Sequence, residues 1–171
     1  MTRSLSFTYL FIILAVSYLG GTLLFRELPE ASVEKILILF DARVVSGSDA
    51  KLLLPVTATL LFFVLAFAFS RFKYSRFLVI FTGAIKCVLF GVSSAYLLAK
   101  GLKILEYAMW WFPFQLLICF ALLLFCAVLT PPFFLKTTGR RERNNRGLIT
   151  VAICAVLLIV LEYTIFFLFI K

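Results

Sequence analysis

Two charged side chains, Lys86 and Glu162, stand inside long apolar runs of this 171-residue chain. A charge in such a run is costly to hold in hydrocarbon, so it tends to face other protein, to pair, or to mark a path for ions or protons. Opposite signs at similar depth predict one intramembrane ion pair that orients two helices; the unpaired alternative is that Lys86 snorkels inward and Glu162 outward toward Lys171. A proton relay is the functional alternative, and it is thin, because the chain has no His and no other acid stands mid-span. Cys87, Cys119, Cys126 and Cys154 also fall in apolar runs. None has C-x-x-C spacing, and without His the usual mixed ligand set for zinc is missing. They read as buried thiols that behave as small apolar residues. No nucleophile–base pair, P-loop, Gly-rich nucleotide motif or carboxylate pair is present. The expectation is a non-enzyme with no catalytic residues, no cofactor and no metal.

The elements that must position these residues follow from composition. Apolar residues make up 64% and charged residues 15%, against about 45–50% and 25% in soluble domains. Too few polar side chains remain to cover a water-facing surface, and the chain is too apolar for disorder. An all-α integral membrane protein is left. A hydrocarbon core of about 30 Å needs roughly 20 apolar residues in a helix, and five stretches supply them, about 5–25, 52–70, 77–99, 114–135 and 148–170. The first run is longer than a signal-peptide core of about 7–15 residues and shows no A-x-A-like cleavage site, so it reads as a retained span.

Orientation follows the basic residues of short loops. With the N-terminus inside, the inner segments hold nine Lys and Arg and one acid, for a net +8. The outer segments hold seven Lys and Arg against six acids, for a net +1. A single five-span domain, N-in and C-out, fits best. The inner loop 136–147 carries Arg140, Arg141, Arg143 and Arg146. It sets topology, and it offers a docking strip for anionic headgroups or an inner-face partner. The cluster is too short, and held too close to the membrane, to suggest nucleic acid.

Two connectors carry further information. In the outer segment 26–51, Val33, Ile36, Leu37, Phe40 and Val44 share one helix face. Glu34, Lys35, Asp41 and Arg43 fall off it. Such a helix could lie in the outer interface, pack on a partner, or cap the bundle's own outer end. Before the fourth span, Gly101 permits a sharp turn, and Tyr107, Trp110, Trp111 and Phe112 suit the membrane interface. Pro113 interrupts helix hydrogen bonding. Residues 104–112 are then either a short interfacial or re-entrant helix, which is favoured, or the start of one long helix kinked at Pro113. Gln115 could bond to the interrupted backbone. Gly83, Gly91 and Ser94 line the third span with small residues that allow close helix approach, as do Ser17 and Gly20-Gly21 in the first.

Three stretches resemble the stage II sporulation protein M family: Lys86-Cys87-Val88-Leu89-Phe90-Gly91, Lys100-Gly101-Leu102-Lys103 and Trp111-Phe112-Pro113-Phe114-Gln115. That family opens a Gly-rich span with a basic residue and glycines, turns outside at Gly and Lys, and enters the next span past a Pro-Gln-Asn-like stop. Here Cys87 stands where Gly is usual, and Phe114 separates Pro113 from Gln115. The resemblance implies a non-enzymatic scaffold or accessory subunit in the bacterial cell membrane. Its shorter, transporter-associated members imply ABC-type peptide export or immunity, with a permease or ATPase as partner. Its longer members imply an anchor for peptidoglycan-remodelling enzymes, with a cell-wall hydrolase complex as partner. A homo-oligomer fits either. From the residues alone, a small secondary transporter or channel is the alternative of another class.

Overall fold

A computed structural model of the chain describes residues 2–41, 53–72, 76–100, 107–130 and 145–169. Every regular element among these is helical: α1 (Thr2–Glu27), α2 (Glu30–Asp41), α3 (Leu53–Ser70), α4 (Arg76–Ala99), a π turn (Tyr107–Trp111), α5 (Phe112–Leu129) and α6 (Asn145–Phe169). Among the described residues, four helices are long and apolar enough to cross a membrane, at Phe7–Glu27, Phe77–Ala99, Phe112–Leu129 and Gly147–Leu168. The chain is a multi-pass membrane protein. Helix is the only open-ended element that satisfies its own backbone in lipid, which is why each apolar run takes this form.

α4 is the central helix. α1 lies parallel to it, with Tyr18 against Phe90 and Phe25 against Tyr96. Their closest approach is at Gly21 and Gly91. A Cβ on Gly21 would run into the Val88 carbonyl, and one on Gly91 into the Tyr18 carbonyl. α3 runs antiparallel to α4, joined by the short turn after Ser70, and brings Thr59 to Lys86. α5 is antiparallel to α4 on another side, where the Cβ of any residue at Gly83 would meet Leu123. α6 returns beside α5. Its first turns pack Leu148, Val151 and Ala152 around Leu122, Phe125 and Cys126.

Several element boundaries differ from the sequence expectation. α5 starts at Phe112 and ends at Leu129, not at 114 and 135. Pro113 is the second residue of α5, where an N–H has no acceptor within α5 itself to lose. The aromatic stretch ahead of it is a π turn that runs straight into α5 with helical backbone at Trp111, φ −70° and ψ −48°. Over Tyr107–Trp111 the stretch favoured as a separate interfacial or re-entrant helix runs on into α5, while 104–106 lie outside the described residues. The wider π turn removes the collision a proline ring makes with the carbonyl of the preceding turn. At the far end, Thr130 leaves helical space (φ −137°, ψ 85°) ahead of Pro131, as the residue before proline must. Its N–H and its hydroxyl both reach the Cys126 carbonyl, at 2.8 and 3.0 Å. α6 begins at Asn145, inside the stretch read as the inner loop.

The largest departure is α2. It neither lies flat in the interface nor caps the bundle end. At its start, Glu30 and Glu34 meet Lys100, just past the end of α4. At its finish, Phe40 meets Lys86, near the middle of α4. These two lysines are separated by roughly 20 Å of helix at 1.5 Å per residue. The 12-residue α2 is therefore a half-helix that descends antiparallel to α4 into the bundle. Its buried face is Val33, Leu37, Phe40 and Asp41, while Ile36 stays 36% exposed. The sequence pattern misassigned Ile36 and Asp41. The remaining member of the expected face, Val44, lies outside the described residues.

Candidate functional site

Four helices and the π turn place polar groups around Lys86 of α4, which is 1% exposed. Its ammonium lies 3.8 Å from the centre of the Phe40 ring and 6.0 Å from that of Phe62. It donates to the Thr59 hydroxyl at 3.3 Å. Phe40 and Phe62 themselves meet edge to face, 5.6 Å apart, so the ammonium sits against an aromatic corner formed by α2 and α3. A cation over an aromatic face is attracted by the ring quadrupole, and more strongly where water is excluded.

Two carboxylates share this layer. Asp41 is 3% exposed and accepts a hydrogen bond from Trp111 Nε1 at 3.1 Å. Glu162 is 1% exposed and accepts from Gln115 Nε2 at 3.0 Å. The indole of Trp110 points at the Glu162 carbonyl, 3.4 Å away, and stacks on Phe166. Trp111 and Gln115 are four residues apart across the π turn–α5 junction, so one helix face donates to both acids. The Cys119 thiol, one turn further along, faces the Lys86 carbonyl at 3.9 Å and lies within electrostatic range of both Lys86 and Glu162. Lys86 and Glu162, expected to pair, lie in one buried layer with Asp41, and neutral donors and rings from other elements also contact these charges. Gln115 does not mend the backbone at Pro113. Its amide is turned to Glu162, because Pro113 in a first helical turn leaves nothing there to repair.

A second polar cluster closes the Lys100 end. Lys100 Nζ is 2.6 Å from Glu30 and 3.6 Å from Glu34, and the Tyr96 hydroxyl donates to Glu34 at 3.0 Å. The hydrogen bond that Lys100 donates to Glu30 is the chief cause of a raised Lys100 pKa. A third set links α1, α4 and the π turn through hydroxyls: Tyr18 to Ser94 at 2.7 Å, and Ser94 to Tyr107.

The small residues of α4 serve different neighbours: Gly91 faces α1, Gly83 faces α5, and Ser94 carries the hydroxyl chain. Cys87, Cys119 and Cys126 are buried, whereas Cys154 is exposed on α6. The expectation that all four are buried fails there, since α6 turns that position away from α5. Gly101 and the basic residues Arg140, Arg141 and Arg143 lie outside the described residues. Arg146 falls in the first turn of α6, with its side chain outside the description. Sequence reasoning missed Asp41, Thr59, Trp111, Tyr96 and Glu34 as members of polar clusters. Asp41 had a readable signal, since it continues the Val33–Leu37 step of four residues on the apolar face.

No family model, curated protein or solved structure matches the chain.

Proposed function

We propose that the chain is a five-span bundle of the bacterial cytoplasmic membrane, N-in and C-out, and a non-enzymatic scaffold or accessory subunit of a larger membrane complex. One observation carries this reading. The central spans bury 56% (α4) and 44% (α5) of their apolar windows, whereas α1 buries 17% and α6 buries 22%. Two spans thus keep most of their circumference for surroundings other than this chain. In lipid, helix association is driven by packing, and small residues permit it. Gly20 on α1, with nothing within 4 Å of its Cβ position, offers such a spot. The antiparallel seat of α3 against α4 supports a fifth crossing, although α3, at 18 residues, is only about 27 Å long. Among complexes, ABC-type peptide export or immunity comes first and peptidoglycan remodelling second, because Lys86, Trp111 and Gln115, which carry the resemblance, converge on one buried layer. Arg140, Arg141, Arg143 and Arg146 are the proposed inner-face docking residues.

The test is co-purification from native membranes at endogenous level. An ATPase or permease, or a cell-wall hydrolase, is expected in stoichiometric yield, and its loss is expected when the four arginines are replaced by Gln. Recovery as a lone monomer that moves a solute in proteoliposomes overturns the scaffold. Topology is checked separately: a cysteine at position 47 should be labelled from outside and one at 139 from inside.

A second reading, a small secondary transporter, is favoured by α2. A half-helix ending beside buried charges is a frequent way to build an intramembrane ion or substrate site. Solute flux that is lost on replacing Asp41 while the fold is kept would select it.

A further inference from the structure

The crossing of α1 and α4 leaves a groove that neither helix fills. The two backbones touch at Gly21 and Gly91, and toward the Lys100 end Phe25 still meets Tyr96, but on one side of that contact a space is left open. The space between them is about 400 Å³, walled by Tyr18, Thr22, Leu23 and Arg26 of α1 and by Ser94 and Leu98 of α4. Leu23 and Leu98 are 61% and 53% exposed, so the groove opens sideways, toward the surface that faces lipid in a multi-pass protein.

Its chemistry changes along its length. The wall is aliphatic at Leu23 and Leu98. Toward the crossing it carries the Tyr18–Ser94–Tyr107 hydroxyl chain. Arg26, in the last turn of α1, stands at the mouth. Among the described residues Arg26 has no carboxylate partner, while the nearby Glu30 is held by Lys100. A guanidinium at the level where an apolar groove meets the headgroup region matches a phosphodiester, which it can bind through two parallel N–H···O bonds. Glu27 and Glu30 keep this end from being strongly positive, so the recognised feature is the phosphodiester and not a net negative headgroup.

We propose that the α1–α4 groove is a phospholipid site, with one acyl chain between Leu23 and Leu98 and the phosphodiester on Arg26. Lipid bound there fills the open space beside the Gly21–Gly91 contact.

The test uses the full chain, delipidated in detergent and offered phosphatidylglycerol, phosphatidylcholine or diacylglycerol with the same acyl chains. Retained lipid is counted by native mass spectrometry. Both phospholipids are expected as one-to-one adducts. Diacylglycerol should be retained roughly tenfold less, the effect of one lost charge-assisted hydrogen bond. Arg26→Gln should lower phospholipid retention by a similar factor, and Leu98→Trp should abolish it by filling the groove. Leu161→Trp, on the exposed face of α6, should leave it intact. Equal retention of diacylglycerol, or retention indifferent to Arg26→Gln, overturns the phosphodiester contact. Retention that survives Leu98→Trp places the lipid elsewhere. If Leu98→Trp does not fold, the Arg26→Gln comparison decides alone, since among the described residues the exposed Arg26 side chain holds no ion pair.

Discussion

α2 is pinned at both ends by similar chemistry in opposite surroundings. At its start, Lys100 meets Glu30 and Glu34 with side chains 45%, 67% and 39% exposed. At its finish, Lys86 shares a buried layer with Asp41 and Glu162, none more than 3% exposed. Each cluster has one ammonium and two carboxylates. The exposed one can trade any lost contact for water, so it steers α2 more than it stabilises it. The buried one has no such exchange. Every charge there needs a partner already in place, and Thr59, Phe40, Trp111 and Gln115 come from four different elements to supply them. Depth in the bundle, not residue type, decides which end of α2 carries the energy.

Removing the buried cation should break the comparison most sharply. Lys86→Met keeps side-chain volume but leaves two carboxylates without a positive charge. The expected loss is about 3–5 kcal/mol, as for other buried charge clusters deprived of one partner, read from unfolding in mixed micelles of rising SDS fraction. A neutral or stabilising result would mean that the layer holds no ionised carboxylate for Lys86 to compensate.

The next effect is single donors. Trp111→Phe removes the indole N–H from Asp41 with the ring retained, and Gln115→Leu removes the amide from Glu162. Each should cost about 1–3 kcal/mol in the same assay, the penalty of a buried acceptor left unsatisfied. Trp111→Phe should also loosen the end of α2, raising amide exchange near Leu37–Asp41, whereas Gln115→Leu should not. Equal effects on α2 would show that the two acids act as one unit.

The exposed end should respond least, and to conditions more than to mutation. In a Cys154→Ser background, a spin label at position 32 should gain mobility on Lys100→Gln and at high salt, with little change in global stability. The sign with pH is fixed by the raised Lys100 pKa. The contact is fully present below the lysine's ordinary value of 10.5 and fades as pH rises through its higher folded value. Label mobility that rises between pH 7 and 9 would assign the start of α2 to some other interaction.

The mid-span charges were legible from Lys86 and Glu162 because an apolar run makes any charge conspicuous. Asp41 was legible only as the next step of four after Val33 and Leu37, and the acids and bases around it hid that signal. Pro113 was overread: proline marks a possible break, but in a first turn it breaks nothing. Gly91 read correctly as a close-packing position, but its partner Gly21 lies on a helix that only the folded bundle brings to it.

What the sequence determined by itself was local. Long apolar runs in a chain that is 15% charged must be helices in lipid, since no other open segment satisfies its backbone there. Cys154 and Cys87 show the limit, because periodicity alone did not separate a lipid-facing thiol from a packed one. Only the tertiary structure decided that α2 descends beside α4, that Asp41 joins Lys86 and Glu162 in one layer, and that Gly21 of α1 meets Gly91 of α4. The reason is that lipid is as apolar as leucine. Hydrophobicity places a segment in the membrane but does not choose its neighbour, and that choice falls to packing and to the few buried polar groups that must meet.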